Sequence, residues 1–242
     1  MPRAMASLLP TTGTNRLLAA LSPRERASLV RDAKPVTLEL GAVLAEPDTA
    51  TRYVYFPLSG FISVMVPAGP DATLEVGLIG DEGLLGSTLL CGVDAAPFHA
   101  LVQGPGIALR MTAARFRREL EARSTFAGIV SRYAYVQLRQ VSQLAVCTRF
   151  HTIPERLARW LLMTQDRAGG AEFHLTQAFL ARMLGVRRVS VTKAAGELQA
   201  DRMIDYRRGE IVITDRRKLE AVSCVCYESD KRLYGRIMKL RR

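Results

Sequence analysis

The spacing of apolar residues changes character several times along the chain. In NRLLAALSPRERASLVRDA, residues 15–33, it predicts two short amphipathic helices, the second capped by Ser22 with Pro23 in its first turn. From 36 to about 112 the apolar positions gather into short runs rich in Val, Ile, Leu and aromatics: VTLELGAVLAE, YVYFPLSGFISVMV, LEVGLIGDEGLLGS, HALVQ and IALRMT. Gly, Pro or Asp separates them at the intervals of an all-β sandwich or barrel. Gly41, Gly60, Gly80, Gly83 and Gly86 fall at or near the expected turns, where positive φ is needed.

Between Thr112 and Phe150 the period becomes helical and no proline intervenes. Apolar residues recur at Phe126, Ile129, Tyr133 and Val136, and in a second stripe at Leu138, Val141 and Ala145. This predicts one helix of roughly 25 residues or more with two adjacent apolar stripes, more than packing on one domain requires. One stripe is expected on the barrel and the other against the same helix of a second subunit, although Gln137, Gln140 and Gln143 interrupt the seam. The residues assigned to dimerisation are Phe126, Ile129, Tyr133, Val136 and Gln140.

Pro154 restarts the pattern. PERLARWLLMTQDRAGG predicts a helix with Leu157, Trp160 and Leu161 inward and Gly169-Gly170 as its stop. In LTQAFLARML, Thr176 is the N-cap and Phe179, Leu180 and Leu184 are the buried positions. Gly185 turns the chain into VRRVSVTKAAGEL, where Val191, Ala194, Ala195 and Leu198 face a core and Arg188, Val189, Thr192, Lys193 and Gly196 face out. MIDYRRGEIVIT then predicts two strands around a turn at Arg207-Arg208-Gly209. Helix, glycine turn, helix and basic hairpin describe a winged helix-turn-helix.

Charge sharpens that reading. The formal net charge is +11, yet residues 1–112 hold 8 Lys/Arg against 10 Asp/Glu and residues 113–242 hold 26 against 13. Two domains are implied, the second facing a polyanion. Arg187 and Arg188 open a helix whose first acid is Glu197. A helix N-terminus carries partial positive charge, so cations belong there only beside an anion such as DNA phosphate.

Other chemistry recedes. No apolar run reaches the ~18 residues of a membrane span, and the opening residues MPRAMASLLPTTGTN lack a continuous apolar signal region, so a cytoplasmic protein without membrane contact is expected. Cys91, Cys147, Cys224 and Cys226 are scattered and expected to be reduced. Cys147 and His151 lie four apart, but two ligands do not close a metal site, and none is expected. The three histidines lie apart and no nucleophile–base pair or phosphate-loop lysine motif is present, so the chain is read as a non-enzyme.

With these residues in view, the sequence resembles the Crp/Fnr family of bacterial transcription regulators over nearly its whole length. GAVLAEPDTATRYVYFPLSGFISVMV and VGLIGDEGLLGS are similar to the family's cyclic-nucleotide-binding-like barrel. ERLARWLL, LTQAFLARMLGVRRVSVTKAAGELQ, DYRRGEIVITD and CVCYES are similar to its winged-helix domain. The resemblance implies an α+β fold: a jelly-roll, double-stranded β-helix barrel over 1–112, a long dimerisation helix and hinge over 113–151, and a winged helix-turn-helix over 152–242. It also implies a homodimer on a two-fold symmetric operator of double-stranded DNA, with half-sites about one helical turn apart, and contact with RNA polymerase. DNA-contacting residues are expected at Thr176, Gln177, Arg187, Arg188, Val189, Ser190, Thr192, Lys193, Arg207 and Arg208.

Departures from the family pattern narrow the expectation. Members that bind cyclic AMP carry Gly-Glu and, about ten residues on, Arg-Ser/Thr-Ala; here Gly86 precedes Ser87, and the later stretch is Pro97-Phe98-His99-Ala100. A buried phosphate would lack its counter-charge, so cyclic AMP is not expected. The candidate effector pocket is placed at Gly86, Ser87, Phe98 and His99, with any small-molecule effector uncharged there. An iron–sulfur cluster is not expected, since the first cysteine is Cys91 rather than an N-terminal group. Haem on His99, His151 or Cys91 is outweighed by packed or surface roles for each. In the recognition helix Val189 stands where many members place a cytosine-reading glutamate, Arg188 fits a base-reading arginine, and Lys193 replaces a second arginine. The competing reading is a small-ligand or redox sensor acting through protein partners without specific DNA binding.

Overall fold

The chain begins with local rules obeyed. The computed structural model describes residues 13–69 and 72–238; the expectation about an N-terminal signal rests largely on residues 1–12, outside them. Asn15 caps α1 (Arg16–Ala19), its Oδ1 accepting from the Leu17 and Leu18 amides while Nδ2 donates to the Pro57 and Gly83 carbonyls. Although fully buried, this amide therefore has partners on both its polar atoms. Ser22 and Glu25 form a reciprocal capping box on α2 (Pro23–Val30), with Pro23 in the first turn as the sequence predicts.

The apolar runs become seven antiparallel strands of the barrel: β1 (Lys34–Leu38), β2 (Val43–Ala45), β3 (Tyr53–Pro57), β4 (Phe61–Pro67), β5 (Thr73–Ile79), β6 (His99–Gly104) and β7 (Gly106–Thr112). They form two facing sheets of order β1-β7-β3 and β2-β6-β4-β5, a double-sheet jelly roll. The unbroken hydrophobicity of YVYFP in β3 has a simple cause. Tyr55 points between the sheets with Ile62, Val64 and Val102, whereas Val54 and Phe56 point outward under the helices with Leu109 and Met111. Both faces of the strand are covered, so period-two alternation disappears. Of the five turn glycines, Gly41, Gly60 and Gly86 have positive φ; Gly80 and Gly83 sit in turns of ordinary φ.

The predicted long helix is present, and a separate shorter helix precedes it. α3 (Ala113–Ala122) ends at Arg123, whose φ −135° and ψ 97° are extended, and α4 (Ser124–Phe150) runs on for 27 residues. The break turns Phe116 and Phe126 edge-on to each other, ring centroids 5.6 Å apart at 85°. It also lets Arg123 pair with Glu119 at 2.5 Å and donate to Ser28 Oγ at 2.9 Å.

Burial corrects the dimer assignment. Phe126, Ile129 and Val136 have no exposed surface and Tyr133 only 3%. Phe126, Ile129 and Tyr133 belong to the same core as Leu17, Phe56, Leu84 and Phe116 of their own chain. Each such side chain is worth roughly 1.5–3 kcal/mol inside rather than outside, and none presents surface to a second copy. Gln140 is half-buried and faces the clefts between α4, the barrel and the C-terminal domain. The exposed apolar face of α4 is instead Tyr135, Leu138, Val141, Val146 and Phe150.

The remaining elements are α5 (Ile153–Ala168), β8 (Glu172–His174), α6 (Gln177–Leu184), α7 (Arg188–Ala200), β9 (Ile204–Arg207), β10 (Glu210–Ile213), α8 (Arg216–Val222) and α9 (Cys226–Met238). Thr152 and Glu155 form a capping box at the start of α5, and Gly169 ends it in the left-handed region. β8 adds a third strand to the predicted hairpin, in the order β8-β10-β9. Leu157, Leu161, Leu180, Leu184, Val191, Ala194, Ala195 and Leu198 share one core, which Met65 of the barrel also enters. α9 returns to lie along α4.

Candidate nucleic-acid interface

Two turns set the geometry of the basic surface. Gly185, at φ 64°, reverses the chain between α6 and α7. A Cβ there would be strained by the backbone and would meet Leu74 Cδ1 of the barrel at 2.9 Å. At the hairpin tip Arg208 (φ 52°) and Gly209 (φ 89°) both have positive φ, as a two-residue type I′ turn demands. Thr176 caps α6, its Oγ1 accepting from the Phe179 amide at 3.2 Å. As predicted, Leu180 and Leu184 are buried; Phe179 is half-buried at the edge of the core.

These turns bring the N-termini of α6 and α7 and the hairpin around one groove, lined by Thr176, Gln177, Arg188, Tyr206, Arg208 and Gly209. Thr192 Oγ1 donates to Gln177 Oε1 at 2.8 Å, fixing α7 against α6. Tyr206 fixes the hairpin, its hydroxyl donating to the Leu175 carbonyl at 2.8 Å and its amide to Gln199 Oε1. Nothing in the sequence singled Tyr206 out.

The charges on this surface are mostly unspent. Arg187, Arg188, Thr192, Lys193 and Arg208 are exposed, Val189 is 71% exposed, and Ser190 is half-buried. Arg187, Arg188, Lys193 and Arg208 form no ion pair among the described residues. The first turn of α7 carries no acid, and Arg187 at its cap makes no side-chain capping bond. Arg207 differs from these, because its Nε meets Asp205 Oδ1 at 3.0 Å. An exposed pair of this kind is worth at most ~1 kcal/mol and yields readily to phosphate.

A second concavity, of about 360 Å³, lies in the barrel. Of the residues placed at the candidate pocket, Gly86, Ser87 and Phe98 line it, with Pro97 beside them; His99 is not among the lining residues, its ring instead meeting Glu46 at 2.9 Å. The lining is also less apolar than expected, since Glu46 and the exposed Arg52 contribute to it. Ser87 Oγ donates to Gln137 Oε1 on α4 at 2.5 Å, so the cavity touches the long helix directly. No helix among the described residues is long and apolar enough to cross a membrane.

Comparison with known proteins agrees with this geometry. Residues 155–222 match the family model for the Crp-like helix-turn-helix domain. The HTH-type transcriptional regulator Cmr of Mycobacterium tuberculosis is 33% identical over 100 residues, a stretch spanning 41% of this chain and 38% of that protein's length. FixK2 of Bradyrhizobium japonicum superposes with a TM-score of 0.67 at 15% identity, covering 80% of this chain and 98% of that one. The c-di-GMP responsive regulator CLP of Xanthomonas campestris gives 0.65 at 16% identity, covering 79% and 99%. Residues 155–222 are thus a Crp-like helix-turn-helix domain, and the jelly-roll barrel, the long helix beside it and that domain together share the fold of FixK2 and CLP.

Proposed function

We propose that the chain is a sequence-specific transcription regulator that binds a two-fold symmetric operator as a homodimer. The observation that carries this reading is the outward face of α7, where Arg188, Val189, Thr192 and Lys193 stand exposed, with no acid and no ion pair among the described residues. α7 enters the major groove, Arg188 forks onto guanine O6 and N7, and Lys193 reaches the same groove one turn on. Arg187, Arg208 and, after release from Asp205, Arg207 contact phosphate together with the cap of α6 at Thr176 and Gln177. The exposed α4 stripe of Leu138, Val141 and Val146 joins two copies. RNA polymerase and a small effector in the barrel cavity complete the scheme, the effector acting on α4 through Gln137.

The experiment compares Arg188→Ala with Arg208→Ala on operator DNA, isolated by selecting bound fragments, and on scrambled DNA at one salt concentration. Arg188→Ala should shrink the ratio of the two affinities by an amount corresponding to roughly 1–3 kcal/mol. Arg208→Ala should weaken both alike and reduce the slope of log affinity against log salt by about 0.9, one phosphate contact. Equal proportional losses on both DNAs for Arg188→Ala would reject base reading, and a wild-type affinity indifferent to salt would reject the DNA-binding surface itself. In that case the barrel cavity would favour a sensor acting through protein partners.

A further inference from the structure

We propose that Cys147, His151, Cys224 and Cys226 form a closed tetrahedral site for one zinc-type divalent ion, tying the C-terminal end of α4 to the start of α9. The sequence keeps these residues far apart; the fold gathers them. Cys147 lies in the last turn of α4 and His151 is its C-cap, four residues on, so both project from the same end of the helix. Cys224 and Cys226 flank Val225 at the junction of α8 and α9. Val225 is 73% exposed while the two thiols turn inward, which lets a C-x-C pair offer both sulfurs to one centre.

The distances suit a single ion. All four ligand atoms lie within 4.8 Å of one another, with Cys147 Sγ 3.6 Å from Cys224 Sγ and Cys226 Sγ 3.5 Å from His151 Nδ1. A tetrahedral ion about 2.3 Å from sulfur and about 2.0–2.1 Å from nitrogen places its ligands about 3.8 Å (S to S) and about 3.6 Å (S to N) apart. Multi-iron clusters spread their thiolates around several metal atoms and need a wider cage. The two nearest sulfurs are also well beyond the ~2.05 Å of a disulfide.

The surroundings match the charge such a centre would carry. Three thiolates, a neutral imidazole and a divalent ion leave one negative charge, in a site whose three cysteines are buried. Arg156 is buried beside Cys147 and Cys224, forms no carboxylate pair among the described residues, and has the Leu184 carbonyl as its hydrogen-bond partner. A buried guanidinium without a counter-charge is costly, and the anionic centre supplies one. Gln143, one turn before Cys147, donates through Nε2 to Cys226 Sγ at 3.1 Å, as outer-shell donors to metal thiolates do. With four protein ligands the site has no open position, so its role is structural. On binding, the thiol protons pass to solvent and the ion bridges α4 to α9, setting the angle of the C-terminal domain on the long helix.

The test uses the full-length reduced protein, its metal content and its cobalt(II) spectrum. One equivalent of zinc per chain is expected after dialysis, and titration with cobalt(II) should give thiolate-to-cobalt charge-transfer bands and strong tetrahedral d–d bands saturating at one equivalent. Cys226→Ser and His151→Ala should lose stoichiometric binding and alter or abolish the bands, while the exposed Cys91→Ser should retain both. Should the ligand variants fail to fold, the wild-type titration and Cys91→Ser still decide. Absence of retained zinc together with absence of charge-transfer bands would overturn the proposal. So would bands that vanish in Cys91→Ser, or a Cys147–Cys224 disulfide in protein isolated with reductant.

Discussion

Glu75 offers the sharpest handle on how the barrel and the helix-turn-helix domain hold each other. It lies on β5, 6% exposed, where its carboxylate accepts from Ser63 Oγ at 2.6 Å and from Trp160 Nε1 of α5 at 2.7 Å. Burial raises its pKa from 4.5 to about 7, although the bonds from Ser63 and Trp160 and the charges of Arg167 and Arg159 pull the other way. Because the folded value lies above the unfolded one, the protonated acid stabilises the fold. That contribution is complete below about pH 4.5 and is lost as pH rises through about 7. One unit corresponds to about 1.4 kcal/mol, so the whole window is worth on the order of 3 kcal/mol. Glu75→Gln keeps the shape, an acceptor for Trp160 and a partner for Ser63, but cannot ionise. Urea unfolding between about pH 4.5 and 8, followed by circular dichroism and by the fluorescence of Trp160, the single tryptophan, measures the difference. The two proteins should be equally stable at the acid end, and the variant should gain over wild type up to neutral pH and stay level above it. A difference that does not change with pH, or a wild type that gains on the variant as pH rises, would refute the reasoning.

Leu138→Asp combined with Val141→Asp should yield monomers by sedimentation, since both side chains are exposed on α4, whereas Tyr133→Asp should lower the unfolding midpoint of the protein because Tyr133 is buried in its own chain. Calorimetry with cyclic AMP should show no micromolar binding: the cation lining the barrel cavity is the exposed Arg52, and a solvated guanidinium contributes at most ~1 kcal/mol to holding a phosphate. Thr176→Ala should destabilise α6 by roughly 0.5–2 kcal/mol through loss of its bond from the Phe179 amide, seen as a lower midpoint in thermal unfolding.

What was legible in the sequence was local. Caps at Ser22 and Thr176, the turn at Gly185 and the hairpin tip at Arg208-Gly209 depend on a few adjacent residues, and the structure has them where the sequence puts them. The face of α7 was legible for the same reason, because a period of 3.6 sorts Val191, Ala194 and Leu198 from Arg188, Thr192 and Lys193 without knowledge of the fold. Long-range geometry was not. Two apolar stripes on one helix do not say which meets the barrel, and it is the stripe of Phe126, Ile129 and Tyr133 that the chain's own core covers. β8 is three residues with one buried side chain, too short for a periodic signal. Cys147 and Cys224 are 77 residues apart, and only the return of α9 along α4 brings them together.

The contacts between barrel and C-terminal domain are of a kind that makes their geometry conditional. Besides Trp160 and Glu75, Arg167 on α5 pairs with Glu82 of the barrel at 2.7 Å, both side chains largely buried, and Tyr234 on α9 donates to the Glu82 carbonyl. Partners left behind in a buried polar contact are costly, so intermediate angles between the two domains, which would break one contact and keep the others, are disfavoured. An arrangement of this sort favours discrete positions over a continuous swing. α4 runs past all of it, held to the barrel cavity at Gln137 and to α9 near Cys147. A change at Gln137 or at Cys147 therefore bears on the same set of buried polar contacts, and through them on the direction in which Arg188 and Lys193 face.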